Sequence, residues 1–330
     1  MRKLIVFVVI LAVLWGGYWF IGSTTKHRVI EAWLTERRAA GWTASYSDFR
    51  VVGFPNRFDS KFTDLDISDP RSGIEWLAPG FDILALSYQP NHIIAIWPNR
   101  QTLRLPGEEI DVTSAELVAS VVFEPDTKLA LSRISLEARE LVLKGVSGWT
   151  TGISALRAST RQNADKTFAH DVIFDAKAVS PTAAFLKTLD PAGKLPGVID
   201  RLFLDMTLGF DAPWDRVAIE QGAPLVQRIT IRRLDTVWGP LGVGGTGTLD
   251  VAKNGSIDGE VALEIRNWRA VVDLFVTSGA IDPSTAQTIK TGLEFLAADG
   301  DSIKTSLVIK NGQMSLGPVP LGAAPTLIRR

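Results

Sequence analysis

Beyond Trp42, apolar and polar positions along this chain alternate with period two. Ile134, Leu136 and Ala138 alternate with Arg133, Ser135, Glu137 and Arg139. Leu202, Leu204, Met206, Leu208 and Phe210 alternate with Arg201, Asp205 and Thr207, and Ile257, Val261, Leu263 and Ile265 with Asp258, Glu260, Glu264 and Arg266. One apolar and one charged face per segment predicts half-buried strands of an antiparallel sheet. Turn signals separate the runs: Asp69-Pro70, Gln89-Pro90-Asn91, Pro106-Gly107, Asn254-Gly255, Asn311-Gly312 and the acidic Asp299-Gly300-Asp301. The two Asn-Gly pairs are hairpin signals.

Helical patterns interrupt the alternation. Pro181 to Leu189 reads as one short helix ended by Asp190-Pro191. Asn267 is placed to cap a helix from Trp268 to Thr277, and Asp282-Pro283 supplies an N-cap and first turn for another running to about Ala297. The expected fold class is therefore mainly β (α+β): a large curved antiparallel sheet with a helix pair near the C-terminus, not a βαβ alternation. Ser72-Gly73 before Trp76 and Ser147-Gly148 before Trp149 form a faint self-similarity that suits repeated hairpins.

The N-terminus follows a different pattern. Arg2 and Lys3 precede an uncharged stretch from Leu4 to Thr25. Its apolar part, Leu4 to Gly22, makes ~28 Å of helix at ~1.5 Å per residue, close to a ~30 Å hydrocarbon core. Trp15, Tyr18 and Trp19 cluster at its C-terminal end, where aromatic rings favour the headgroup region. A cleaved signal peptide needs a small-x-small site, and bulky Tyr18-Trp19-Phe20 occupies that place, which favours a retained anchor. Arg2 and Lys3 favour a cytoplasmic N-terminus, against Lys26 and Arg28 on the other side. Val29, Ile30, Trp33 and Leu34 then form one apolar stripe of a helix that Gly41 stops, lying either on the membrane surface or against the domain. The expected organisation is an anchor over residues 1–25, an amphipathic juxtamembrane helix over 26–41, and a strand-rich domain over 42–330.

Composition narrows the function classes. Of 330 residues, 46% are hydrophobic, so a substantial core is available and disorder is a poor description. Thirty-five basic and 36 acidic residues nearly cancel, and Lys and Arg form no long run, which leaves no footprint for nucleic acid. The absence of cysteine excludes disulfides, thiolate metal sites and Cys nucleophiles.

Candidate chemistry is sparse. Gly242-Val243-Gly244-Gly245-Thr246-Gly247 has dinucleotide-site spacing, but a strand rather than a helix follows, so a glycine-rich strand is the better reading. His27, His92 and His170 share no ligand spacing, and Asp64, Asp66 and Asp69 fit a solvated strand face and a turn. Glu108 and Glu109 point to opposite faces of an extended chain, so they form no close acid pair. No nucleophile elbow, P-loop or zinc motif is present. Trp76, Trp97, Trp149, Trp214, Trp238 and Trp268 are spread through the domain; core packing explains most of them, and an aromatic stripe along an acyl-chain groove is the sharper reading.

Several segments together resemble one family. Gly17-Tyr18-Trp19-Phe20 is followed by Gly53-Phe54-Pro55-Asn56-Arg57-Phe58-Asp59, then by Leu86-Ser87-Tyr88-Gln89-Pro90-Asn91-His92, Asn267-Trp268-Arg269 and Leu316-Gly317-Pro318-Val319-Pro320-Leu321-Gly322. In this order they resemble the bacterial family called domain of unknown function 2125, over almost the whole chain. That family carries no assigned activity, so no catalytic residue transfers. The ending is also similar to the AsmA-like envelope proteins, a resemblance that implies an inner-membrane anchor, a long curved periplasmic sheet and a link to lipid movement.

The expected function is thus a non-enzymatic, membrane-anchored periplasmic module that binds or handles lipid, without a cofactor. Its anchor residues are Leu4, Trp15, Tyr18, Trp19 and Gly22, and its lipid-facing residues Leu202, Leu204, Met206, Val261, Leu263 and Ile265. An envelope scaffold without a lipid ligand is the alternative. Expected partners are membrane lipid and other envelope proteins. The expected location is the bacterial inner membrane, single-pass, with the N-terminus cytoplasmic.

Overall fold

A computed structural model describes residues 1–279, 281–297 and 300–327. In chain order the elements are α1 (Arg2–Ala39), β1 (Thr43–Ser45), β2 (Asp48–Val52), β3 (Asp59–Asp69), β4 (Ile74–Leu86), β5 (Gln89–Ile96), β6 (Arg100–Leu105), β7 (Glu108–Thr113), β8 (Glu116–Phe123) and β9 (Leu131–Gly145). There follow β10 (Thr150–Gln162), β11 (Ala169–Ser180), α2 (Ala183–Leu189), β12 (Ile199–Phe210), α3 (Arg216–Gln221), β13 (Val226–Trp238), β14 (Leu241–Val251) and β15 (Ile257–Arg266). The last are α4 (Trp268–Thr277), α5 (Pro283–Ala297), β16 (Ser302–Lys310), β17 (Gln313–Leu316) and β18 (Val319–Ala323). They form two compact units, residues 1–125 with 136–148, and residues 126–135 with 149–330.

In the first unit, α1 runs unbroken through residue 25, so the apolar stretch and the amphipathic stretch after it are one helix. Its length is ~57 Å at ~1.5 Å per residue. The C-terminal half packs on the sheet: Leu34 is buried and Ile30 joins it against Ala44, Phe49, Phe62, Leu65 and Ala78. Phe49 and Phe62 stack with ring centroids 4.4 Å apart. Val29 and Trp33, the other half of the stripe, remain exposed. β3 pairs with β1, β2 and β4, and β4 then splits the sheet: residues 82–86 pair with β5, residues 75–77 with β6.

Two local expectations change. The turn near Gln89 lies at Ser87-Tyr88, and Gln89 already pairs with Leu86 as the start of β5. Pro90 fits there because a missing N–H is tolerated near the beginning of a strand. Asn267 precedes α4 in a left-handed conformation and makes no side-chain cap, whereas Asp282 Oδ1 does accept from the backbone N–H of Ser284 and Thr285. Asn311 and Gly312 both have positive φ in the β16–β17 hairpin, the backbone that an Asn-Gly turn supplies. Of the expected turn at 299–301, Asp299 lies outside the described residues.

The second unit is a meander in which β10 to β18 pair in chain order, each antiparallel to the next. Register puts alternate residues of successive strands on a common face: Phe174, Leu204 and Leu234 form one row, Val243, Ile265 and Ile303 another. The glycine run lies in β14 and is a strand. A Cβ at Gly247 would stand 2.2 Å from the Glu260 carbonyl oxygen, and one at Gly245 2.9 Å from Leu263 Cδ2, so strand spacing demands glycine there.

The opposite face carries a cross-strand ladder of ions. Arg201 donates to both carboxylate oxygens of Asp175 at 2.8 and 3.0 Å, and Arg228 to Asp250 at 2.6 Å. Arg232 bridges Asp171 and Asp205. Asp171 also accepts from Thr207 at 2.8 Å and Asn163 at 3.0 Å. Burial alone would raise the Asp171 pKa, but these donors outweigh it and hold the carboxyl at about 2.

Because this pKa is depressed on folding, the native state binds fewer protons than the unfolded state, whose Asp titrates near ~3.9. The contribution, about 2 kcal/mol, is present above roughly pH 4 and is lost as pH falls through about 2. Asp171→Asn is expected to remove it and flatten the loss of stability between those pH values, as read by denaturant titration at each pH.

Candidate functional site

α4 and α5 lie against the sheet of the second unit and enclose an apolar cavity of about 380 Å³. Its floor is Val243, Leu263, Ile265 and Leu307, continued by Met314, Leu316 and Leu321. Its roof is Trp268, Val271, Val272 and Phe275 of α4 with Ile289 and Leu293 of α5. Positions 268, 271, 272 and 275 stand at i, i+3, i+4 and i+7, one face of a helix, and 289 and 293 are one turn apart. Every residue lining the cavity is apolar. A second, mainly apolar space of about 240 Å³ adjoins it, sharing Val243, Val271 and Phe275 and reaching Leu189, Trp238 and Leu241.

The roof also holds one buried polar atom. Trp268 is 1% exposed, and its indole N–H is buried without an acceptor among the described residues. A buried unpaired donor costs roughly 1–3 kcal/mol, and this one does not open onto the cavity.

The six expected lipid-facing residues divide between places. Leu263 and Ile265 line the cavity floor, and Val261 is buried beside them on β15. Leu202 packs with Ile199, Trp238 and Leu241 under α2 and α4. Leu204 and Met206 share the face but line neither apolar space; they are half-buried among Phe174, Leu234, Val172 and Ile231. β12 and β15 are three strand spacings apart, ~14 Å, so the six do not make one pocket. The α4 and α5 lining was missed. Its signal, the helical spacing of 268, 271, 272, 275, 289 and 293, was present in the sequence.

The anchor residues are placed by the first unit. Leu4 and its neighbours as far as Leu14 are exposed on α1. Trp15 Nε1 donates to the Pro55 carbonyl at 3.0 Å, Tyr18 Oη to that of Ser87 at 2.6 Å and Trp19 Nε1 to that of Arg57 at 2.7 Å. Gly22 lets the Phe58 ring approach: a Cβ there would be 2.4 Å from Phe58 Cζ. Lys26 Nζ reaches the Phe58 carbonyl at 2.5 Å, and burial lowers its pKa to about 8 against the pull of Asp59. Two of the sequence segments quoted above, residues 17–20 and 53–59, are thus partners in space.

A family model described as an uncharacterized protein conserved in bacteria, domain of unknown function 2125, matches residues 19–325. The chain belongs to this family. No curated protein and no solved structure matches it. The matched region takes in the cavity and the part of the α1 docking from Trp19 onward, while Trp15 and Tyr18 precede it.

Among the described residues, the candidate groups from the sequence lie apart. His92 Nε2 is 2.9 Å from Ser120 Oγ across β5 and β8, with no carboxylate partner among the described residues. His27 stacks on Phe49, and His170 meets Thr160 at 3.3 Å. Asp64 is bonded to Ser47, and among the described residues no group of three or more His, Asp or Glu converges for a metal. Trp76 contacts Phe81, which in turn contacts Trp97, while Trp238 and Trp268 belong to separate clusters of the second unit, so the tryptophans form no common stripe.

Leu293 is fully buried in the roof, whereas Phe275 is 52% exposed. Leu293→Ala is expected to cost about 2–5 kcal/mol and Phe275→Ala under about 1 kcal/mol, measured by denaturant unfolding in detergent.

Proposed function

We propose that this protein is a membrane-anchored, non-enzymatic module that takes up an acyl chain of a membrane lipid in the cavity beneath α4 and α5. The observation that carries this reading is the almost entirely apolar lining of a 380 Å³ space. Ligand sites commonly span roughly 300–1,000 Å³ with a few polar groups placed among apolar walls. Burying a hydrocarbon chain gains about 0.8 kcal/mol per CH₂, enough to hold a lipid tail without any charged contact. The half-buried face over Leu204 and Met206 supplies further apolar surface on the same sheet.

The decisive test is photocrosslinking in native membranes, with a photoreactive residue at Met314 in the cavity floor of the full-length protein. A lipid adduct at 314, absent when the same residue replaces Arg233 on the charged face, is expected. No adduct at 314, while a probe at Val13 in the apolar helix captures lipid, would leave the envelope-scaffold reading in its place.

The helix α1 is long and apolar enough to cross a membrane. Its crossing, with the N-terminus in the cytoplasm and both units in the periplasm, belongs to the same proposal and rests on Arg2 and Lys3. Lacking native cysteine, the chain suits single-site labelling. Ser72→Cys is expected to react with an impermeant maleimide in spheroplasts. Reaction only after lysis reverses the orientation.

A further inference from the structure

The length of α1 left free by the first unit is too short for a bilayer. Leu4 to Leu14, the apolar part before the first hydrogen bond to the unit's loops at Trp15, spans only ~16 Å at ~1.5 Å per residue, about half of a ~30 Å hydrocarbon core. The other half of the apolar stretch, Trp15 to Gly22, is where the loop before β3 and the turn before β5 are bound to the helix. Resting on the reading that α1 spans the membrane, we propose that these two segments form a collar immersed in the outer half of the bilayer, with Phe54 and Tyr88 inserted among the lipids.

Backbone chemistry suits that position. In hydrocarbon each carbonyl needs a donor from the protein, because water is not there to supply one. The carbonyls of Pro55, Arg57 and Ser87 accept from Trp15, Trp19 and Tyr18 of the anchor itself, and that of Phe58 accepts from Lys26 just beyond it. Those of Gly53 and Asn56 accept from the N–H of Arg57 and Ser87, both at 2.8 Å. In water such carbonyls need no bonds from an apolar helix. The outward side chains match as well: Phe54 is 58% exposed and Tyr88 59%, level with Phe20 at 64% and Ile21 at 71% on the helix. Phe54 lies against Trp19 and Phe20, its ring centroid 5.4 and 6.2 Å from theirs. This continues the aromatic belt of the anchor onto the domain. Arg57 is long enough to carry its charge, paired with Asp59 at 2.8 Å, toward the headgroups. The consequence is that the first unit sits down on the membrane and does not swing on a linker.

Full-length protein with a single cysteine at Tyr88→Cys or Phe54→Cys is reconstituted into phosphatidylethanolamine–phosphatidylglycerol vesicles and labelled with an environment-sensitive fluorophore. Val13→Cys marks the membrane. Ser72→Cys, beyond the far end of β3 and ~35 Å along the strand, marks the solvent. Labels at 54 and 88 are expected to be quenched several-fold more by a nitroxide on the lipid acyl chain than by aqueous iodide, as at 13, with the reverse at 72. Among the described residues the Tyr88 side chain makes no hydrogen bond or ring contact, so its replacement keeps the test valid if Phe54→Cys disturbs packing. Quenching by lipid at 13 but by iodide at 88 overturns the collar and leaves the spanning helix intact. Iodide quenching at 13 overturns the spanning reading and the collar with it.

Discussion

A sheet whose strands alternate apolar and charged residues has one face that water will not tolerate, and the rest of this structure follows from how that face is covered. In the second unit the meander β10 to β18 has apolar side chains on one face in strand after strand. α2, α4 and α5 cover only part of it, around Trp238, Ile265 and Ile303. Packing is complete at Trp268 and Leu293 but leaves an apolar space between roof and floor. A space of that size in an ordinary core costs stability through lost contacts.

The charged face tolerates water and needs no cover. Its order comes from Arg–Asp pairs that repeat from strand to strand, with Phe203 between the guanidinium groups of Arg201 and Arg233 at 4.5 and 5.2 Å. Such exposed pairs contribute little singly, but a cross-strand ladder fixes register, and register fixes which residues meet the apolar space. The ion ladder and the cavity are thus two faces of one alternation.

The first unit solves a different problem. A helix of 38 residues is partly too apolar for water and partly amphipathic, and it is held at its middle by aromatic and lysine donors to backbone carbonyls. That docking joins the apolar helix to the first unit, with Leu34 continuing the contact into the β-sheet core.

The strand runs at 133–139, 201–210 and 257–266, the Asn311-Gly312 hairpin, the helices beginning at Trp268 and Pro283, and the apolar N-terminal helix were all legible in the sequence. Each is a local matter: side-chain period, turn residues and hydrocarbon length act over a few residues. The family too was legible, from segments kept in order along the chain. Three things were decided only in three dimensions. Period two shows that Leu204 and Leu263 face inward but not that three strand spacings separate them, because pairing order is a property of the sheet. The fit of α4 over β14 to β18, and hence the cavity, depends on volumes contributed by residues far apart in the chain. The union of Trp15, Tyr18 and Trp19 with Pro55, Ser87 and Arg57 depends on carbonyls whose need for a donor arises only once the loop is folded against the helix.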